Sequence, residues 1–306
     1  MNSAYNITVV GCGGIGSYVL ELLPQVMACL NLDKACPADM QQTVASEGLD
    51  NHVVNMFHKL VLVDGDSFVG HNALRQAGVV GSKVAVQMQK IRNKDAFTTW
   101  LHTTELTGWE TYIKPSNMEK IIGGTSYGIV PVILLCVDNH KTRYEVTRWA
   151  EETLRHFLII NGGNQKIHGN VTIYQRYYGE NYDPPIYKLY PEVTDTADRR
   201  PDEVHCDEVH ASNDQTALIN NMIATIMLNM LRKFVMANGE PYAFNQKLRQ
   251  KGPDGNNLFQ RKNEIIIDLE TNSMMALSHS ASLDNRRAPV DTVTNQTELP
   301  ENADLN

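Results

Sequence analysis

Two cationic residues in the first half of the chain have the types and the spacing needed to bind a polyphosphate. Lys83 falls in the first turn of a predicted helix, where a positive charge costs roughly a few tenths of a kcal/mol unless it faces an anion. Arg75 lies shortly before it, and a guanidinium can hold phosphate through two parallel hydrogen bonds. Either residue alone is typical of a solvated surface side chain. Together, behind a glycine-rich turn, they indicate a triphosphate rather than the pyrophosphate of a dinucleotide.

The glycine-rich turn that would hold these phosphates lies near the N-terminus. The apolar run Ile7–Val10 leads into it and the helix-capable segment Tyr18–Leu23 follows, so the pattern predicts strand, tight turn and helix. Glycine allows the backbone angles of such a turn, and the missing Cβ lets a phosphate reach the backbone N–H groups. The same pattern also fits a strand and a helix packed through glycine with no ligand. The glycines concerned are Gly11, Gly13, Gly14 and Gly16.

Two further strands are predicted to end in carboxylates near this turn. Lys59–Val63 precedes Asp64 and Asp66, and the apolar run Ile129–Val137 precedes Asp138. The second run is continuous, as in a central parallel strand that is buried on both faces. Ligands bind at the carboxyl ends of strands in open α/β sheets, so these carboxylates are candidate site residues. The alternative for Asp138 and the asparagine after it is an Asx turn that caps the next helix.

The remaining segments complete a predicted α/β fold with a doubly wound, mainly parallel sheet. The first helix is expected to end near Pro24, and the segment Gly179–Glu203 to form a long ordered loop. Further helices are predicted from about Ser82 to Ile91, Lys141 to Leu154 and Gln215 to Met236. Further strands are predicted at Trp100–Glu105, Ile167–Tyr174, Glu264–Leu269 and Met274–Leu277, and Phe157–Gln165 is predicted to hold a strand followed by glycines.

The composition of the chain excludes several classes of partner. The chain has 306 residues, a formal net charge of -8 and 42% hydrophobic residues, which fits a globular protein with a packed core. Nucleic acid and anionic membranes both need a clustered basic surface, so neither is expected as a partner. Residues 1–10 lack a basic region and no apolar run reaches about 20 residues, so we expect no signal peptide and no membrane span. Five cysteines without a CxxC pair favour a reducing cytoplasm.

The order of these motifs resembles the adenylation domain of the ubiquitin-activating (E1-like) family, which includes ThiF and MoeB. The matching runs are Gly-x-Gly-Gly-x-Gly from Gly11, Asp-x-Asp from Asp64, Asn-x-x-Arg-Gln from Asn72 and Gly-x-Lys ending at Lys83. In that family the first Asp of the pair holds the ATP ribose, and the Asn, Arg, Gln and Lys line, hold or orient the phosphates. The resemblance therefore implies that Asp64, with Asp66 beside it, and Asn72, Arg75, Gln76 and Lys83 form an ATP site.

The resemblance also implies a cofactor set and a reaction. The family's Asp-Asn pair matches residues 138 and 139, and its Asp coordinates Mg²⁺, so Asp138 becomes the expected metal residue beside ATP. The implied reaction is ATP-dependent adenylation of the C-terminal carboxylate of a ubiquitin-like, β-grasp sulfur-carrier protein. Arg75, Lys83 and Asp138 would act on the leaving pyrophosphate. A homodimer and an E2-like or sulfur-donor partner are further implications.

Cys206 is a candidate nucleophile in a second motif. It stands between two histidines, but these are too few ligands for a zinc site, and the acidic residues after it would raise the pKa of the thiol. The run from Cys206 through residues 213–215 to Ile219-Asn220 resembles the ThiF proteins of plasmid gene clusters known as the PRTRC type. That resemblance implies a thioester or persulfide role for Cys206. The alternative is an inert loop cysteine.

Other functions remain open at this level. A catalytically inactive E1-like scaffold subunit would bind its partner without turning over ATP. An NAD(P)-binding oxidoreductase would share the glycine turn but would not need Arg75, Lys83 and Asp138 together. Within the active interpretation, the acceptor could also be an RNA or a small molecule, although the acidic charge disfavours RNA.

The resemblance covers most of residues 7–235 and suggests a division of the chain. We predict an E1-like adenylation domain at residues 1–240 with an insertion at about 31–55. A C-terminal hairpin appendix at 241–277 and a disordered tail at 278–306 would follow.

Overall fold

The computed structural model describes residues 4–35, 55–68, 81–123, 128–165, 167–195, 198, 201–203, 217–239 and 262–279. The strands are β1 (Ala4–Val10), β2 (Phe57–Val63), β3 (Ser67–Phe68), β4 (Gly81–Ser82), β5 (Glu105–Trp109), β6 (Ile129–Leu135), β7 (Phe157–Asn164), β8 (His168–Tyr177), β9 (Glu180–Asn181), β10 (Glu264–Asp268) and β11 (Ser273–Leu277). The helices are α1 (Gly14–Ala35), α2 (Lys83–Arg92), α3 (Met118–Ile122), α4 (His140–Thr153), α5 (Ile186–Leu189) and α6 (Ala217–Met236).

Nine of these strands form one twisted sheet in the order β11-β10-β8-β7-β6-β1-β2-β5, with β9 paired to β8. The five strands from β7 to β5 are parallel. Because β1 lies between β2 and β6, the chain winds outward in both directions from it, as in a Rossmann-type fold. The crevice at the carboxyl ends of β1 and β6 is the switch point where such folds bind ligands. The predicted doubly wound, mainly parallel α/β sheet is therefore confirmed.

The register of the central strands brings the predicted site segments to one edge. Val10 at the end of β1 pairs with Val63 of β2 on one side and with Leu135 of β6 on the other. The glycine turn, Asp64 and the segment that leads to Asp138 therefore leave the sheet at the same level. Sequence positions more than 120 residues apart meet here because parallel strands end together.

Helices cover both faces of the sheet. Helices α1 and α6 pack against each other over one face, where a buried cluster includes Ile7, Val9 and Met227. Helices α3 and α4 cover the other face, where the cluster includes Val61 and Ile133. The continuous apolar run of β6 is thus buried on both sides, as its sequence predicts.

The prediction that the first helix ends near Pro24 is wrong. Helix α1 continues to Ala35 with Pro24 inside it. An internal proline removes one helix hydrogen bond and typically costs about 3 kcal/mol or more. Leu20, Leu23 and Met27 are each buried to 1% exposure or less, so packing of the helix outweighs that cost.

The prediction of a strand at Trp100–Glu105 is also wrong. Residues Ala96–Trp100 form a π-helical turn, and the strand β5 begins at Glu105, where it pairs with Lys59 of β2. Leu101 is fully buried, but it lies in the turn that precedes β5 and not in a strand. The sequence pattern alone cannot tell whether a buried apolar residue lies in a turn or in a short strand.

Other boundaries fall close to their predicted positions, with some added detail. Strand β8 runs antiparallel to β7, and the hairpin β10–β11 forms and pairs with β8, which extends the main sheet. The segment Gly179–Glu203, predicted as a loop, contains β9, α5 and two 3₁₀ turns, at Pro191–Thr194 and Pro201–Glu203. Most of the predicted insertion and of the predicted tail lies outside the described residues.

Among the described helices, one is long and apolar enough to cross a membrane by length and composition. It is α1, and 61% of its most apolar window is buried inside the fold. Its contacts with α6 account for much of this burial. Its apolar character is therefore that of a core helix.

Candidate nucleotide site

The glycine turn joins β1 to α1 at the carboxyl edge of the sheet, and close contacts require two of its glycines. Gly11 has a φ of +90°, and a Cβ there would lie 2.7 Å from the carbonyl oxygen of Cys136. A Cβ on Gly16 would lie 1.9 Å from the carbonyl oxygen of Gly11. Gly13 and Gly14 lead directly into α1, whose first N–H groups have no partner within the helix. The turn therefore places a helix N-terminus, which favours anions, at the switch point of the sheet.

Asp64 is held against this turn by backbone hydrogen bonds. The Cys12 N–H donates to Oδ2 of Asp64 at 2.6 Å, and the Asp66 N–H donates to Oδ1 at 2.8 Å. The Asp64 side chain is 8% exposed. Burial raises the pKa of Asp64, whereas Lys83 and the two backbone bonds act in the opposite direction. Asp64 is thus a preorganised hydrogen-bond acceptor beside the glycine turn.

A short ladder between β3 and β4 brings the start of α2 back to this acidic segment. Ser67 pairs with Ser82, and the Lys83 N–H donates to the carbonyl oxygen of Asp66 at 3.1 Å. Ser82 also caps α2, since its Oγ accepts from the Ala85 N–H at 3.3 Å. The predicted helix start near Ser82 is therefore confirmed, and Lys83 is its first residue.

The Lys83 ammonium group lies between the two carboxylates. Its Nζ is 2.9 Å from Oδ2 of Asp66 and 3.9 Å from Oδ2 of Asp64. The Tyr112 hydroxyl donates to the other oxygen of Asp66. Burial by itself lowers the pKa of Lys83, but the two carboxylates raise it by more, and the net shift is upward. Lys83 therefore carries its charge at neutral pH in a setting that is 12% exposed.

Asp138 lies beyond the end of β6, immediately before α4, and its side chain is exposed. The neighbouring Asn139 is buried and caps α4, because its Oδ1 accepts from the Thr142 N–H at 2.8 Å. The capping role weighed for the Asp-Asn pair thus belongs to Asn139. Asp138 acts electrostatically on both Lys83 and Arg143, which places the three charges in one region.

Asp138 fits a magnesium ion of the kind that is bound together with phosphates. The described residues contain no group of three or more His, Cys, Asp or Glu side chains that could hold a metal alone. Mg²⁺ commonly keeps several waters and binds through one or two carboxylates plus substrate phosphates. One exposed carboxylate at the ligand-binding edge matches that donor set.

Acidic side chains of Asp198 and of the second 3₁₀ turn, Pro201–Glu203, are paired with groups near the same edge. Oδ2 of Asp198 accepts from the first backbone N–H of α4 at 2.6 Å. Glu203 pairs with Lys141 at 2.7 Å, and Asp202 pairs with Lys114 at 2.5 Å. These contacts hold Asp198 and residues 201–203 near the start of α4, close to Asp138.

Two residues of this site were not singled out by the sequence patterns. Tyr112 follows β5, and its ring lies so close to Gly65 that a Cβ there would be 2.5 Å from a ring carbon. Arg143 lies in α4, and its Nη2 donates to the carbonyl oxygen of Val137 at 2.6 Å. The sequence contains a signal for Arg143, because it lies five residues after Asp138 on a predicted helix. It contains no signal for Tyr112, because the strand before Tyr112 was predicted at the wrong residues.

The structure therefore brings together the glycine turn, Asp64, Asp66, Lys83 and Asp138. The remaining sequence candidates, Asn72, Arg75, Gln76 and Cys206, lie outside the described residues.

The fold that carries this site is a Rossmann-like α/β fold. It is similar to that of MccB from E. coli, solved with ATP, at a TM-score of 0.53 and 14% sequence identity over 95% of this chain and 67% of that chain. The microcin C7 biosynthetic enzyme MccB in complex with N-formylated MccA gives 0.54 and 15%, again over 95% and 67% of the two chains.

A second neighbour is PaaA, with a TM-score of 0.51 and 13% identity over 90% of this chain and 72% of that chain. No protein-family model and no curated protein matches the sequence. The chain spans about two thirds of the length of MccB. At these identities the similarity establishes the fold.

Proposed function

We propose that this chain binds ATP with Mg²⁺ and adenylates the C-terminal carboxylate of a protein or peptide. The observation that carries the proposal is the convergence of the glycine turn, Asp64, Lys83 and Asp138 at the switch point of the sheet. Residues from four separate segments meet there, each of a type suited to one part of a nucleotide. Support from the fold comes from MccB, which has been solved with ATP and in complex with N-formylated MccA. For the substrate, the sequence resemblance favours a ubiquitin-like β-grasp protein.

The reaction is a displacement at the α-phosphate. A carboxylate oxygen of the substrate attacks the α-phosphorus and forms an acyl phosphate bond. The bond between the α-phosphorus and the bridging oxygen breaks, and pyrophosphate leaves with the electron pair. The substrate carboxylate is already deprotonated at neutral pH, so no general base is needed. The work left for the protein is positioning and charge stabilisation.

The residues divide this work between them. The turn would receive phosphate on the N-terminus of α1, and the preorganised carboxylate of Asp64 would accept from the ribose hydroxyls. Lys83, with Arg75 and Gln76, would hold the phosphates. Asp138 would hold Mg²⁺, which neutralises the charge that builds up on the leaving pyrophosphate. Cys206 would act after adenylation, as a thioester or persulfide carrier, and a homodimer is part of the same proposal.

ATP–pyrophosphate exchange tests the proposal directly. The assay would use the full chain with candidate β-grasp proteins and with peptides that end in a free carboxylate. We expect exchange that depends on the acceptor, is lost in Asp138→Ala and is kept in Cys206→Ala. Asp95→Ala is the matched control, since Asp95 is exposed and makes no side-chain capping bond.

The outcomes separate the alternatives. No exchange with any acceptor, while ATP still binds, would favour a scaffold subunit. Absence of ATP binding would overturn the proposal. An absorbance change with NADH or NADPH would favour an oxidoreductase.

A further inference from the structure

Arg143 is a buried cation that joins the ends of two neighbouring strands. It lies in α4 and is 8% exposed. Its Nη2 donates to the carbonyl oxygen of Val137, beyond β6, at 2.6 Å and to that of Gly162, in β7, at 3.2 Å. Regular pairing between these strands ends at Leu135. The guanidinium therefore continues the connection between them past the point where the backbone ladder stops.

The contact with Val137 acts on the orientation of Asp138. The carbonyl of Val137 and the N–H of Asp138 belong to one planar peptide unit. A hydrogen bond that fixes this carbonyl therefore fixes the plane from which the Asp138 side chain departs. On the other side, Asn139 caps α4 through the Thr142 N–H, so the backbone is held before and after Asp138.

The surroundings of the guanidinium are shaped to admit it. A Cβ on Gly163 would lie 3.3 Å from Nη1 of Arg143 and 2.5 Å from Oδ1 of Asn170. A side chain at this position would therefore clash with Asn170 and press against the guanidinium. Nε of Arg143 and both amide atoms of the neighbouring Asn161 are buried without a protein partner. The end of β7 therefore contains several buried polar atoms, and leaving such atoms unpaired costs free energy.

The charge of Arg143 is balanced mainly by carboxylates of the candidate site. Burial lowers the pKa of the guanidinium, and Asp138 and Asp198 act against that shift. A buried arginine that served packing alone would be replaceable by an apolar side chain at little cost. Here one of its two acceptors, Val137, directly precedes Asp138, and the carboxylates that act on its charge are Asp138 itself and Asp198.

We propose that Arg143 is a positioning residue that sets the orientation of Asp138 and thereby the affinity of the nucleotide-bound site for a divalent cation. The inference rests on the proposed function, because it requires Asp138 to hold the metal. Residues that orient a metal ligand typically change metal affinity about 10- to 100-fold when they are replaced. Arg143 itself contacts neither metal nor nucleotide in this scheme.

The test measures metal and nucleotide binding separately. The full chain would be titrated with AMPCPP, a non-hydrolysable ATP analogue, in EDTA, and the AMPCPP complex would then be titrated with Mn²⁺ by electron paramagnetic resonance. We expect Arg143→Met to keep its metal-free AMPCPP affinity within about twofold and to bind Mn²⁺ about tenfold more weakly. Arg148→Met is the matched control. It removes an arginine from the same helix whose partners are Glu151, Glu152 and Tyr187.

A second variant covers the case in which Arg143→Met does not fold. Arg143→Lys keeps the positive charge on a shorter side chain that does not reach both carbonyls, so we expect Mn²⁺ affinity between those of the wild type and Arg143→Met. Unchanged Mn²⁺ affinity in the folded Arg143 variants would overturn the role of Arg143. So would an equal loss of AMPCPP affinity in EDTA. A wild-type chain that binds neither AMPCPP nor Mn²⁺ would instead overturn the proposed function, and the inference with it.

Discussion

Replacing Lys83 by methionine should lower both the stability of the fold and the affinity for ATP, and a second substitution should restore only the stability. Lys83 lies 3.9 Å from Asp64 Oδ2 and 2.9 Å from Asp66 Oδ2. Two unit charges 4 Å apart interact by about 4 kcal/mol at an effective dielectric constant of about 20. Desolvation of the three groups opposes this attraction, and removing one partner of a fully buried pair costs about 3–5 kcal/mol.

The expected loss for Lys83→Met is smaller than that upper range, because Asp66 is 37% exposed and water can solvate it after the change. Asp64, at 8% exposure, cannot be solvated to the same degree. We therefore expect a loss of about 2–3 kcal/mol in the free energy of unfolding, measured by urea denaturation. Adding Asp66→Asn removes the more exposed carboxylate while keeping an oxygen that can accept from Tyr112. The double variant should regain about 1 kcal/mol relative to Lys83→Met.

ATP binding should follow a different pattern. Calorimetric titration with ATP should show a large loss of affinity in Lys83→Met and no recovery in the double variant, since the phosphate ligand is missing in both. Two results would refute the reasoning. If the double variant is no more stable than Lys83→Met, the carboxylates are not the source of the cost. If ATP affinity returns together with stability, Lys83 does not contact phosphate.

Two further predictions concern the turn and the pH dependence of stability. Gly16→Ala places a Cβ 1.9 Å from the carbonyl oxygen of Gly11. Urea denaturation should therefore show a loss of about 3 kcal/mol or more in the free energy of unfolding. A variant as stable as the wild type would contradict this packing. Burial lowers the pKa of His156, although the hydrogen bond that its ring donates to the backbone carbonyl of Gly239 opposes the shift, so the unfolded chain binds the proton more tightly. The contribution of neutral His156 to the free energy of unfolding is fully present above its ordinary pKa of about 6.5. It is lost as the pH falls through the lower pKa of the folded chain. The difference in stability between the wild type and His156→Gln should therefore change between about pH 7 and pH 5, and a constant difference would contradict it.

The parts of the fold that could be predicted from the sequence are those set by local pattern. The continuous apolar run of β6 and the glycine spacing predict buried parallel strands and a turn at their carboxyl edge. These features depend on residues that are neighbours in the chain. The strand order then follows from the general rules for doubly wound sheets.

The parts that could not be predicted depend on contacts between distant residues. Pro24 remains inside α1 because the sheet and α6 bury the helix, which no local pattern reports. Tyr112 reaches Asp66 across 46 positions of sequence. The pairing of Lys83 with Asp66 likewise depends on the β3–β4 ladder, and the sequence indicated only that this lysine should face an anion.

The charges of the described site predict that its affinity for ATP depends on Mg²⁺. Lys83 and Arg143 are opposed by Asp64, Asp66 and Asp138, so the carboxylates outnumber the cations. A triphosphate carries several negative charges and would be repelled by this arrangement. Further positive charge, from Mg²⁺ at Asp138 and from Arg75, would therefore strengthen its binding. We expect ATP affinity to fall, but to remain measurable, when Mg²⁺ is chelated by EDTA, and we expect it to fall in Arg75→Met at saturating Mg²⁺. Equal ATP affinity with and without Mg²⁺ would show that the phosphates lie away from these carboxylates.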